Sequence, residues 1–139
     1  MDLAQVEPAI VGVARRTPGV VAVYLFGSLA RDRAHRDSDI DVAVLLDWAA
    51  YPSSATRFEA RLRLTGELGA ALGRNDVDLV VLNDAPPVFA REVVTSGRRV
   101  FVADAEAEHA FRRDVQLRAA DLEPWLRRVR RVRLEQLTR

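Results

Sequence analysis

Three short stretches of this sequence hold residue types that could do chemistry. Gly27-Ser28 closes an apolar, β-branched run, and a Gly-Ser at such a point leaves backbone N–H groups and a hydroxyl free to approach a phosphate. Asp39 and Asp41 alternate with Ile40 and Val42, so the two-residue period of a strand puts both carboxylates on one face while the apolar residues enter a core. Asp76 and Asp78 repeat the pattern, and Asp78 directly precedes the apolar run Leu79 to Leu82, so a neighbouring strand could bring a third carboxylate beside the first two. Paired carboxylates repel unless a cation neutralises them, and oxygen ligands of this kind favour magnesium or manganese. Taken singly, each stretch also has a plainer reading: a strand-ending turn for Gly27-Ser28, and solvated strand residues for each Asp-x-Asp.

The rest of the composition narrows the chemistry. The chain has no cysteine, which excludes disulfides, thiolate zinc sites and cysteine nucleophiles, and any metal must be held mainly by carboxylates. Its two histidines, His35 in a polar loop and His109 on a helical surface pattern, lie far apart and read as solvated. Every basic residue is arginine, so no lysine is available for a Walker-type phosphate contact, a Schiff base or a general base, and P-loop NTPases and protein kinases are excluded with it.

Elements that would position these residues follow from periodicity. Leu3, Val6, Ile10 and Val13 share one helical face between Asp2 and Arg16, and Thr17-Pro18-Gly19 supplies the stop. Val20 to Phe26 reads as a strand buried on both faces, and Asp39 to Leu46 as a second strand returning hairpin-fashion after a polar stretch from Arg31 to Ser38, of which Arg31 to Asp37 reads as a surface loop. A helix capped near Ser53 or Ser54 carries Phe58, Leu62, Thr65, Leu68 and Leu72 and ends at Gly73. Asp76 to Leu82 is a third strand, Pro86-Pro87 opens a helix ending at Gly97, and Arg99 to Val102 is a short fourth strand. Asp104 to Leu117 and Asp121 to Leu137 read as two further helices, the second capped by Asp121 with Pro124 in its first turn.

Alternation of strands and helices places the chain in the α/β class, as a small mixed sheet flanked by helices with a C-terminal helical tail. With 139 residues, 49% hydrophobic and 29% charged, it suits one compact core. No run of eighteen apolar residues occurs and the opening residues lack a signal-peptide pattern, so no membrane contact and a cytoplasmic location are expected. Charge is unevenly placed: residues 1–110 carry 12 Arg against 16 acids, residues 111–139 carry 9 Arg against 4. The Arg127, Arg128, Arg130, Arg131, Arg133 run beside Trp125 is either a nucleic-acid patch or a solvated face whose other side docks on the core or a partner; the second is preferred, and no direct nucleic-acid contact is expected. Trp48 and Tyr51, after the second strand, either line an adenine pocket or pack over the sheet edge.

Gly27-Ser28, ten intervening residues, then Asp39-Ile40-Asp41 resembles the Gly-Ser-x10-Asp-x-Asp signature of the nucleotidyltransferase superfamily whose fold is shared with DNA polymerase beta. The fuller text, Phe26-Gly27-Ser28-Leu29-Ala30-Arg31, then Ser38-Asp39-Ile40-Asp41-Val42 and Asp78-Leu79-Val80, is similar to minimal nucleotidyltransferases, especially MntA-type antitoxins paired with HEPN ribonuclease toxins. The resemblance covers residues 20 to 103. It implies a polymerase-beta-like core over residues 1–103 and a helical, arginine-rich extension over 104–139 packed on the core or a partner. One departure is Asp32, where the family usually has glycine; aspartate tolerates left-handed backbone better than most residues.

The resemblance further implies a role for each matching position. Gly27 and Ser28 would hold the triphosphate of ATP, Asp39 and Asp41 would ligate Mg2+, and Asp78 would help bind a second ion and accept the proton of an attacking hydroxyl. Arg31 either contacts phosphate or pairs with a loop carboxylate such as Asp37. The expected activity is transfer of AMP from ATP to a hydroxyl, a tyrosine, of a cognate HEPN toxin in a hetero-oligomer, since the few residues after the fourth strand leave little room for an acceptor domain. Two alternatives stand beside it: a nucleotidyltransferase for a small hydroxylated molecule, and a non-catalytic antitoxin acting by binding alone.

Overall fold

The computed structural model describes residues 2–27 and 39–137. In chain order these form α1 (Leu3–Arg16), β1 (Val20–Phe26), β2 (Ile40–Leu46), α2 (Ser54–Leu72), β3 (Val77–Val81), one turn of 3-10 helix (Leu82–Asp84), α3 (Pro87–Ser96), β4 (Arg98–Val102) and α4 (Ala105–Leu137). Local signals set the ends. Asp2 accepts from the Gln5 backbone while the Gln5 side chain answers the Asp2 N–H, and Ser53 and Thr56 do the same for α2. Gly73 closes α2 at φ 66°, the left-handed position a side chain would strain.

Among the described residues the four strands form one mixed sheet in the order β3-β2-β1-β4. β1 runs antiparallel to both β2 and β4, while β2 and β3 are parallel, so the start of β2, the start of β3 and the end of β1 lie along one rim. Helices cover both faces. Val6, Ile10 and Val13 of α1 and Leu64 and Leu68 of α2 pack on Val23, Leu25, Ile40, Val42 and Val44. On the other face, Val93 and Val94 of α3 and Phe111 and Val115 of α4 pack on Ala22, Tyr24, Ala43 and Leu45. This two-sided burial is why β1 and β2 are near-continuous apolar runs.

Two elements differ from the periodicity reading. The third strand stops at Val81, because Leu82 to Asp84 turn into the 3-10 helix. The two C-terminal helices are one, Ala105–Leu137, with Pro124 inside it rather than in a first turn, and Asp121 is not a cap. A proline removes one backbone hydrogen bond from a helix, yet it stops the helix only if nothing else holds the flanking turns. Here Ala119 is buried against the core and Glu123 receives Arg91 of α3 at 3.1 Å, so the turn leading into Pro124 is anchored. No helix among the described residues is long and apolar enough to cross a membrane.

Candidate active site

Strand register brings the carboxylates together. Asp41 stands directly opposite Asp78 in the parallel β2–β3 ladder and opposite Phe26 in the antiparallel β1–β2 ladder. Neighbouring strands are ~4.8 Å apart, so side chains at paired positions are immediate neighbours. Because Ile40 and Val42 enter the α1/α2 core, Asp39 and Asp41 project from the opposite face, the one that α3 and α4 cover over β1. Asp39 and Asp78 are exposed and Asp41 is half-buried.

The electrostatics follow from that placement. Burial pushes the Asp41 carboxyl above the usual aspartate range, and the charges of Asp78 and then Asp39 push it the same way. Asp41 therefore has two further carboxylates beside it at one rim. Asp76, two residues before Asp78, is spoken for differently: Arg74 donates its Nε to Asp76 at 2.7 Å and a second guanidinium nitrogen pairs with the other oxygen. That pairing pulls the Asp76 carboxyl below its ordinary value.

Gly27 completes the rim. Its φ of +74° lies where side chains are strained, and a Cβ there would overlap Oδ2 of Asp41 and stand 3.2 Å from its Cγ. Only a residue without a side chain lets the backbone after β1 lie against the carboxylate. A backbone cradle and an all-oxygen donor set fit a hard divalent cation held together with a phosphate. Among the described residues no group of three or more acidic or histidine side chains is placed to hold a metal ion by itself. Ser28 and Arg31, the other nucleotide-binding candidates, lie outside the described residues, as do Asp32, His35 and Asp37.

Other candidates fall elsewhere. Trp48 and Tyr51 follow the end of β2, opposite the carboxylate rim, so they do not line an adenine pocket there. Tyr51 donates its hydroxyl to the Pro18 carbonyl at 2.8 Å, and the Trp48 ring lies 5.0 Å from the Arg57 guanidinium. Arg57 is buried and holds Asp84 through Nε and NH2 and the Tyr51 carbonyl through NH1. His109 is exposed on α4.

Two features are absent from the sequence reading. A cleft of about 700 Å3 opens beside β3, lined by Phe58 and Arg61 of α2, Val80, Asp84, Pro86 and Phe89. It adjoins the carboxylate rim through Phe89, which meets Phe26 edge-on at 5.6 Å. The second is a buried polar knot in which the Tyr24 hydroxyl donates to Glu108 at 2.6 Å and Arg112 and Arg99 donate to the same carboxylate. The Pro86-Pro87 break before Phe89 is a sequence signal for the first; the second has no local signal, since Tyr24 and Glu108 are 84 residues apart.

This combination of mixed sheet, Gly-containing rim and facing aspartates defines a nucleotidyltransferase core. The family model described as "Polymerase beta, Nucleotidyltransferase" matches residues 9–106, and the chain belongs to that family. It is 37% identical over 91 residues to the protein adenylyltransferase MntA of Shewanella oneidensis, an alignment covering 66% of this chain and 60% of that protein. The chain thus spans about 60% of the length of this curated relative. Its structure is similar to a chain in the crystal structure of a toxin–antitoxin complex with AMP-PNP, with a TM-score of 0.69 at 30% identity over 96% of this chain and 98% of that one. It is also similar to a chain in a complex of a tri-AMPylated HEPN toxin of Shewanella oneidensis with its MNT antitoxin, with a TM-score of 0.62 at 27% identity over 96% of each chain.

Proposed function

We propose that the chain is a magnesium-dependent, cytoplasmic protein adenylyltransferase of antitoxin type, moving AMP from ATP to a tyrosine hydroxyl of a cognate HEPN toxin with which it forms a hetero-oligomer. The observation that carries this reading is the Asp41–Asp78 pairing in register, with Asp39 on the same face. The likeness to the MntA protein and to toxin–antitoxin complexes supports the nucleotide and the kind of partner.

Each residue then has a task. Gly27 and Ser28 hold the triphosphate, and Arg31 contacts it. Asp39 and Asp41 would hold magnesium, with Asp78 as a ligand for a second ion, and the bound metal would supply charge neutralisation and Lewis acidity to the phosphoryl group. Asp78 takes the proton of the tyrosine hydroxyl as its oxygen bonds to the α-phosphorus, and the bond to the β-phosphate breaks to release pyrophosphate. No covalent enzyme intermediate is needed.

The cleft beside β3, within the range that holds small ligands, favours a second reading in which the acceptor is a small hydroxylated molecule. A purely binding antitoxin is disfavoured because it would have no use for a half-buried Asp41 set beside two further carboxylates at one rim. The deciding experiment incubates the protein with magnesium, α-labelled ATP and the product of the adjacent gene. Label on a tyrosine of that protein supports the reading, label on small molecules alone supports the second, and none on either overturns both.

A further inference from the structure

The last five turns of α4 present a face that the core does not use. Phe111, Val115 and Ala119 turn inward and are buried. Beyond them Leu122, Trp125, Val129 and Val132 recur at steps of three and four, and all are exposed, Trp125 by 55% and Val132 by 53%. Such spacing is the a/d seam of a helix that packs against another helix. A groove of about 430 Å3 follows this seam, lined by Trp125, Arg128, Val129, Val132, Arg133 and Gln136.

The flanks choose the partner. With Trp125 and Val132 as d positions and Leu122 and Val129 as a positions, Arg128 falls at g and Arg133 at e. A second copy docked in parallel and in register would set Arg128 against Arg133, opposing like charges, which disfavours a parallel self-dimer. Among the described side chains no carboxylate pairs with Arg128 or Arg133, whereas Arg127 has Glu123 at 3.9 Å. The apolar seam in turn distinguishes this surface from a plain phosphate-binding arginine run.

We infer that residues 122–136 form a docking surface for an amphipathic helix whose own apolar seam is flanked by aspartate or glutamate, and that this helix belongs to the acceptor protein. The inference rests on the reading of a protein partner, and it deepens that reading by naming the surface and the chemistry that fits it.

The test uses the full chain. Two synthetic helical peptides serve as probes, both with Leu at a and d, one with Glu and the other with Lys at e and g. Calorimetry at low salt should show the Glu peptide binding at least about tenfold more tightly than the Lys peptide. Val129→Ser or the pair Arg128→Glu, Arg133→Glu should weaken the Glu peptide at least about tenfold, and the charge reversal should invert the preference. ATP binding with magnesium, measured on each variant, should be unchanged and shows that the core is folded. The same variants should weaken binding of the adjacent-gene protein. Equal affinity for both peptides, a dimer of the chain alone that Val129→Ser dissolves, or single-stranded RNA or phosphatidylserine vesicles captured through Arg128 and Arg133 in preference to the Glu peptide would each overturn the inference. If the variants lose the partner but the wild type transfers no AMP, docking stands and the catalytic reading falls; if transfer and partner binding both persist in the variants, the reverse holds.

Discussion

The backbone of Gly27 lies against the carboxylate of Asp41, so closely that a methyl group at 27 would overlap Oδ2. Gly27→Ala therefore combines a left-handed backbone strain of about 1–2 kcal/mol with displacement of Asp41. Gly73 supplies the control: its φ is +66°, but nothing lies within 4 Å of a Cβ there. Both variants should melt a few degrees lower. Only Gly27→Ala should lose nucleotidyl transfer, by at least about tenfold. Equal turnover in the two would show that the close approach has no catalytic consequence.

Replacing Asp39 and Asp41 together by Asn should abolish transfer, a fall of at least ~100-fold, because neutral amides do not balance divalent charge. Stability should move the other way. Burial, Asp78 and Asp39 raise the Asp41 pKa in the folded state, so its ionisation costs stability as pH rises from the ordinary aspartate value through the raised one. In EDTA, the single variant Asp41→Asn should melt above wild type at pH 7, and the difference should close towards pH ~4. Near wild-type turnover in the double variant would refute the site.

Asp76 and Asp78 are separated by their partners. Arg74 already occupies Asp76, while Asp78 faces Asp41 across the ladder. Asp78→Ala should lower turnover by ~100-fold to 10,000-fold yet still bind ATP with magnesium. Asp76→Ala should stay within about twofold of wild type. A harmful Asp76→Ala beside a harmless Asp78→Ala would move the proton acceptor by two residues.

Much of this layout was legible in the residues because it is local. The apolar runs Val20 to Phe26 and Ile40 to Leu46 leave few alternatives to doubly covered strands, and alternation alone assigns Asp39 and Asp41 to one face. Choosing Asp78 over Asp76 as the neighbour of Asp41 requires the β2–β3 register, which joins residues 37 apart. Pro124 misled because a proline looks like a start signal wherever the tertiary anchor behind it is invisible. Trp48 and Tyr51 follow β2 in sequence, but strand direction carries them to the rim remote from the carboxylates. The polar knot at Glu108 needs three elements at once, so no window of sequence contains it.

That knot ties α4 to the sheet, and its pH response tests it. Burial of Glu108 favours the neutral acid, but hydrogen bonds from Tyr24 and Arg112 and the charges of Arg112 and Arg99 outweigh it and hold the carboxyl below its usual range. Tyr24 is pushed far above its ordinary value, first by burial and then by Glu108, so its hydroxyl stays a donor. A lowered carboxylate pKa adds stability above the unfolded value, and that stability is lost as pH falls through the folded one. Glu108→Gln should cost about 2–3 kcal/mol near neutral pH, because Arg112 and Arg99, both partly solvated, lose their counter-charge. Tyr24→Phe should cost about 1 kcal/mol, and the double variant less than the two together. Denaturant melts at several pH values check this. The wild type and Glu108→Gln should stay apart from pH 6 to 9 and converge below about pH 4. A gap as wide at pH 3.5 as at pH 7 would mean that Glu108 acts through packing and not through charge.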